Sequence, residues 1–530
     1  MNNTLTLCNN PILPGFYPDP TICRVDDDYY MATSTFCYYP GVPIFHSKDL
    51  VNWEQIGNIL DRPSQLPLNN PNIAGMGIYA PTLRYHDGTF YMITTNVGGE
   101  HGNFIVTATD PAGPWSDPYP LGSEGIDPSL FFDDDGKCYY CGTKERREGS
   151  KYFGDNEIYI QELDLNTMKL VGESWPAWHG ALRNVEWPEG PHIYKKDGWY
   201  YLLISEAGTA HMHCVTIARS KSLSEPFTGY PGNPILTHRH LGLNYPIVNV
   251  GHPDIVETPN GEWWMVMLAS RPYGGGYHRN LGRETFLVPF TWENGWPLIN
   301  PGKGIVEDTF PRPDLPETPV NKPAEFDDFD YDKLPFNYMF VRTPDFDKYS
   351  LSDKKGHIAL TPSAEKLNGK KSPTVLCRRQ ISMSYELGTK VLFTPCEDEE
   401  AGLLLLQNEA YNYKFGVSKT DNTYKISVKK STKHEKDIVS ETINSVELNV
   451  NEDTLPYITL KITQNIQSLK FEYSIDDNNF ITVADGEDAR ILCTDTAGGF
   501  VGTCLGIYAE CKNTSTNKAF FDYLNIHSLD

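Results

Sequence analysis

The sequence is short of basic residues, with 45 Lys and Arg against 69 Asp and Glu and a formal charge of −24. Such a field repels phosphate backbones and anionic lipid, so a nucleic-acid or membrane partner is excluded and a neutral or cationic ligand is favoured, although the same surplus also serves solubility. No apolar run reaches the roughly 18 residues of a membrane span. The N-terminal MNNTLTLCNNP carries neither basic residues nor an apolar core before Arg24, and the chain is read as soluble and cytoplasmic. Eleven cysteines form an odd set without the paired spacing of a disulfide framework, which points to reduced thiols. The pair Cys138 and Cys141 lies in an expected strand, where positions i and i+3 face opposite sides, and no second such pair follows; a metal or redox site is not expected there. Long helical periodicity is also missing from the first 300 residues.

What the chain has is length and repetition. At 530 residues it exceeds what one hydrophobic core organises, so at least two domains are expected. Through the first 300 residues a unit recurs: a small or acidic residue, proline, a variable residue, an aliphatic, a polar turn and an aromatic-rich strand. Its five copies begin Asp19-Pro20-Thr21-Ile22, Ala80-Pro81-Thr82-Leu83, Asp127-Pro128-Ser129-Leu130, Gly190-Pro191-His192-Ile193 and His252-Pro253-Asp254-Ile255. The prolines are 61, 47, 63 and 62 residues apart, the length of a four-stranded antiparallel blade with its loops. Most of the intervening turns end in Gly, as in His86-Asp87-Gly88 and Lys196-Asp197-Gly198, which is hairpin chemistry. The fold class is therefore all-β, with a five-bladed β-propeller over residues 1–308.

Residues 309–325 are proline-rich and read as a stiff linker. Beyond them the repeat is lost and apolar residues alternate, as in Tyr424, Ile426, Val428, in Ile458, Leu460, Ile462 and in Leu469, Phe471, Tyr473, Ile475. Half-buried antiparallel strands of this kind predict a β-sandwich over 326–530. The acidic run Glu397 to Glu400 is expected to be a solvated loop.

In a propeller the first strand of every blade lines the central channel, so equivalent positions converge on one axis. The residue before the repeated proline is Asp19, Ala80, Asp127 and His252 in four copies, and the remaining copy has Glu189 one residue earlier. Taken singly, Asp-Pro is a common turn and each acid a hairpin cap. Taken together, three carboxylates and an imidazole meet at one mouth. Crowded like charges raise at least one carboxyl pKa, so one acid stays protonated while another remains a base. Glycosidic cleavage needs that division. Aromatic residues close to these positions in sequence, Phe36, Tyr38, Tyr39, Tyr79 and Trp187, offer rings for the CH faces of a sugar.

The propeller segment resembles glycoside hydrolase family 43, the β-xylosidases and α-L-arabinofuranosidases. The likeness is carried by Asn10-Pro-Ile-Leu-Pro-Gly-Phe-Tyr-Pro-Asp-Pro20, Tyr29-Tyr-Met-Ala-Thr-Ser-Thr-Phe36, His46-Ser-Lys-Asp-Leu-Val-Asn-Trp53, Tyr79-Ala-Pro81, Gly125-Ile-Asp-Pro-Ser129, Glu189-Gly-Pro-His-Ile-Tyr194 and Gly282-Arg-Glu-Thr285. The C-terminal half is similar to the sandwich of the xylosidase-like branch through Ser372-Pro-Thr374, Arg378-Arg-Gln380, Glu400-Ala-Gly402 and Gly499-Phe-Val-Gly502. The resemblance implies that Asp19 is the general base, Glu189 the general acid and Asp127 the modulator of the acid's pKa. It further implies inversion at the anomeric centre, with the two carboxyls about 6.5–9.5 Å apart. Arg283, Phe36 and Tyr79 would hold the innermost sugar, although the family more often has Trp at the position of Tyr79. Phe500, on a sandwich loop, would close the pocket and favour release of one terminal sugar at a time. His252 matches a histidine beneath the site that in some members binds a calcium or sodium ion; no cofactor is otherwise required.

The expected activity is release of terminal xylose, and also L-arabinofuranose, from xylo-oligosaccharides and their arabinosylated forms, by a chain that can form homo-oligomers. A predominantly α-L-arabinofuranosidase activity is the near alternative. Glu186 rivals Glu189 as the acid but lacks the Gly-Pro-His that follows it. Retaining fructosidases share the two-domain plan, yet their motifs are not matched at Pro18-Asp19-Pro20-Thr21 or Glu189-Gly190. From another class comes a non-catalytic carbohydrate-binding propeller, which has no use for three acids at equivalent positions.

Overall fold

A computed structural model describes residues 6–70, 72–448 and 455–530, so residues 1–5 of the expected propeller segment lie outside it. Five antiparallel sheets follow one another in the chain. Their innermost strands are Thr21–Val25, Thr82–His86, Ile126–Phe132, Glu189–Lys196 and Val248–Glu257, one from each repeat. The five-bladed propeller is thus built as the repeat requires.

A blade packs against a neighbour on each face, so both sides of its strands are apolar. In Cys138–Glu145 the side chains of Cys138 and Tyr140 join Ile93 and Ile105 of blade two, while Cys141 joins Ile193 and Leu202 of blade four. The two cysteines face opposite ways and are both buried, with no metal-ligand set among the described residues. The N-terminal segment packs across blades one and five: Leu7–Asn9 pairs with Thr309–Pro311, Cys8, Ile12 and Leu13 join Ile22 and Val256 in one apolar cluster, and the Asn10 side chain exchanges hydrogen bonds with the backbone of Leu287. The proline-rich segment is tied down rather than free. Arg312 forms an ion pair with Asp49, whose carboxylate also accepts from the Thr318 N–H.

The remainder folds as two eight-stranded sheets. The expected alternation is largely present: Ile458, Leu460 and Ile462 are buried in Ile458–Asn465, and Leu469, Phe471 and Tyr473 in Ser468–Ser474, whereas Ile475 lies past the end of that strand and is exposed. One sheet takes its last strand from the propeller, since Tyr38–Tyr39 pairs with Met339–Val341. Tyr38 and Tyr39 are consequently core residues between the domains and not sugar platforms.

Only the first half of the acidic run is solvated: Glu397 and Asp398 are exposed in a turn. Glu399 and Glu400 open the strand Glu399–Leu406 and are buried. Buried carboxylates need partners. Glu400 is bound by Lys429 and the Tyr508 hydroxyl, and Glu399 by Ser515 and Asn517, all remote in sequence.

Candidate active site

The repeated proline lacks a backbone N–H and cannot continue the ladder; in blades one and two the first strand starts just after it, and in blades three, four and five the strand bulges around it. The pairing register shifts between Ile126 and Ser129, between Glu189 and His192 and between Gly251 and Asp254. The residue before the proline is left-handed in four blades: Asp19 at φ 56°, Asp127 at 51°, Gly190 at 59° and His252 at 50°. For the three non-glycine residues such conformations cost about 1–3 kcal/mol each and persist where the surroundings enforce them. In blade four glycine takes the left-handed place and the carboxylate moves one residue upstream, to Glu189. A Cβ on Gly190 would meet the His252 ring at 3.0 Å, so glycine there also makes room for the neighbouring blade.

Asp19 is buried and accepts from the Ser34 hydroxyl at 2.6 Å and from Arg283 Nη1 at 2.8 Å, while His252 Nδ1 stands 3.8 Å away. Burial opposes its charge, but Arg283, His252 and Ser34 together hold the Asp19 carboxyl below the usual range. Asp127 receives the Gly190 N–H at 3.1 Å. Burial, reinforced by the charge of Asp19 and opposed by His252, pushes Asp127 up to about 6. Glu189 is pushed well above the ordinary carboxylate range by burial and by the charges of Asp127 and Asp19, against Arg283. Of the three acids it alone keeps an open face. One carboxylate stable as the anion and one stable as the acid therefore share the mouth. Glu186, by contrast, is exposed in the preceding loop.

The wall is aromatic. The Phe36 ring is stacked on Phe500 at 5.7 Å and lies 5.4 Å from Tyr79, and the Arg283 guanidinium lies 5.5 Å from the rings of both Phe36 and Phe500. The Tyr79 hydroxyl is spent on the Gly75 carbonyl, leaving its ring as the available surface. Phe500 reaches this wall because Gly499 packs on Ala74, Gly502 packs on Leu281 and Gly282, and the Phe500 N–H donates to Ala74 O at 2.8 Å. Arg283 Nε donates in turn to the Phe500 carbonyl, so the sandwich helps aim the guanidinium. Trp187 is not part of this wall and lies on the rim.

Sequence reasoning missed Ser34, although it stands inside the Tyr29 to Phe36 motif, and missed the groups that plug the axis. Arg84 is paired with Asp254 at 2.8 Å, and Asp254 also binds Thr21 and Tyr194. Arg84 Nη2 is 3.0 Å from His192 Nδ1, and burial pushes that imidazole down to about 3, keeping it neutral. These residues do not fit a protein-held calcium ion, which takes six to eight oxygen ligands. Asp19, the carboxylate nearest His252, is already engaged by Arg283 and Ser34, and Arg84 already supplies positive charge at the axis.

Comparison with known proteins yields two family matches: glycosyl hydrolases family 43 over residues 8–297, and the beta xylosidase C-terminal Concanavalin A-like domain over residues 326–527. The chain is 47% identical over 533 residues to a xylosidase/arabinosidase of Butyrivibrio fibrisolvens, covering 99% of this chain and 100% of that one. It is 37% identical to a non-reducing end alpha-L-arabinofuranosidase of Bacteroides ovatus, covering 98% and 95%. The crystal structure of a xylan beta-1,4-xylosidase from Bacillus halodurans superposes with a TM-score of 0.91 at 35% identity, over 98% of this chain and 100% of that one.

Proposed function

This chain belongs to glycosyl hydrolases family 43 and is a glycoside hydrolase, and on that premise we propose that it removes terminal xylose, and L-arabinofuranose, from xylo-oligosaccharides by inversion. The observation that carries this reading is the opposite displacement of two carboxyls at one mouth, Asp19 toward the anion and Glu189 toward the acid. Asp19, held by Arg283 and Ser34, takes a proton from the attacking water. Glu189 gives its proton to the leaving oxygen. Asp127 keeps that proton on Glu189 at neutral pH, because its negative charge disfavours a second anion beside it. Arg283, Phe36, Tyr79 and Phe500 enclose one sugar, which favours exo-action. No resident metal takes part in this scheme.

The test is release of nitrophenol from aryl β-D-xyloside and aryl α-L-arabinofuranoside, with and without a chelator. Turnover of both, with xyloside the better substrate and no effect of EDTA, is expected. Turnover of arabinofuranoside alone would reassign the principal substrate, and turnover of neither would remove the function.

Asp127→Asn is expected to move the alkaline limb of kcat/KM to lower pH while leaving the acid limb in place. Glu189 must be protonated to act, and the neutral amide no longer raises its pKa. An unchanged alkaline limb would deny Asp127 this part.

A further inference from the structure

The inner pocket ends at Glu189, and the departing part of a substrate must leave past it. The first strand of each blade runs away from the acidic end, so the loop between second and third strands returns to that end. Residues 146–155 of blade three and 207–213 of blade four are such loops, and the connection 179–188 enters Glu189 on the same face. All three meet at Trp187. Its N–H donates to the Gly154 carbonyl at 2.8 Å, and the Ala207 N–H donates to the Glu186 carbonyl at 2.9 Å.

Trp187 sits at φ 50°, a region that bulky side chains rarely occupy. Glycine on either side gives its ring room: a Cβ on Gly208 would lie 2.8 Å from the ring and one on Gly154 3.1 Å from its Nε1. Phe153 stands edge-on to the half-buried Trp187, with centroids 5.2 Å apart and an interplanar angle of 82°. At 75% exposure it is the most exposed large apolar side chain among the described residues. Single exposed apolar residues are ordinary. Here, however, the ring belongs to a pair, its partner Trp187 is held in an unfavourable backbone conformation, and Trp187 stands two residues before Glu189 in the chain.

We propose that Phe153 and Trp187 form the leaving-group subsite, a stacking shelf on the acid side for the pyranose units beyond the scissile bond. The inference rests on the reading of Glu189 as the acid. A pyranose presents CH faces that lie against a ring while its hydroxyls stay in water, so an open rim suits it. The shelf makes this chain a trimmer of oligosaccharides rather than of small glycosides, with selectivity set outside the pocket that holds the terminal sugar.

The experiment compares wild type, Phe153→Ala and Phe153→Tyr on xylotriose and on β-D-xylosyl fluoride, whose leaving group has no ring, together with inhibition by free xylose. For Phe153→Ala, kcat/KM on xylotriose is expected to fall about 3- to 10-fold, through KM. Turnover of the fluoride and inhibition by xylose stay unchanged, and Phe153→Tyr restores the rate. Unchanged xylotriose kinetics in Phe153→Ala, or an equal loss on both substrates, would overturn the shelf while leaving the hydrolase intact. Absence of wild-type turnover on either substrate would overturn the hydrolase reading and the shelf with it.

Discussion

Glu189→Ala is expected to lower kcat on xylobiose by about 10²- to 10⁴-fold, the range a positioned general acid supplies. On an aryl xyloside with an acidic nitrophenol leaving group the loss is expected to be much smaller, because that oxygen departs without a proton. The pH profile carries the same signature. Glu189 works protonated, and its carboxyl is raised by burial and by Asp127 and Asp19. Wild-type activity therefore extends above the ordinary carboxylate range and falls as pH rises through the raised value. In the alanine variant the activated substrate loses this alkaline limb. Glu186→Ala, which alters an exposed loop side chain, is expected to leave both substrates and both limbs as they are. An equal loss on good and poor leaving groups in Glu189→Ala would contradict the assignment.

Asp19→Asn is expected to cost about 10²- to 10⁴-fold in kcat whatever the leaving group, since water must still be activated. The amide keeps the size of the side chain and can still meet Ser34, so the pocket remains shaped for the sugar and KM changes little. Its effect on the fold is also defined. Arg283 is buried against Asp19 and loses its counter-charge, and removing one partner of such a pair costs about 3–5 kcal/mol when nothing replaces it. The asparagine oxygen still accepts from the guanidinium, so a smaller fall in thermal stability than that of Asp19→Ala is expected. Steady-state kinetics on both leaving groups and thermal unfolding of the two variants check this. A loss confined to poor leaving groups would show that Asp19 does not serve the water.

The propeller was legible because its unit is local. Proline at the strand entry, a two-residue turn and an aromatic strand recur in sequence, and at the residue before that proline Asp19, Asp127 and His252 take left-handed backbone at the axis. Phase along a strand was equally legible in the sandwich at Ile458, Leu460 and Ile462. Partners distant in the chain were not. Nothing near Glu399 and Glu400 announces Lys429, Tyr508, Ser515 or Asn517, so their acidity suggested solvent. Tyr38 and Tyr39 resembled sugar platforms because only the assembled structure reveals that their strand joins the sandwich. The Arg84–Asp254 pair has the same origin, since it spans 170 residues and no motif links its members.

The most direct measurement is the anomer of the first sugar released, followed by proton NMR while an aryl β-D-xyloside is hydrolysed. Water activated by Asp19 attacks from the face opposite the bond that Glu189 protonates, so α-xylose is expected first, with the β form growing in only by mutarotation. β-Xylose as the first product would mean a covalent sugar on the protein, and the division of roles between Asp19 and Glu189 would be contradicted.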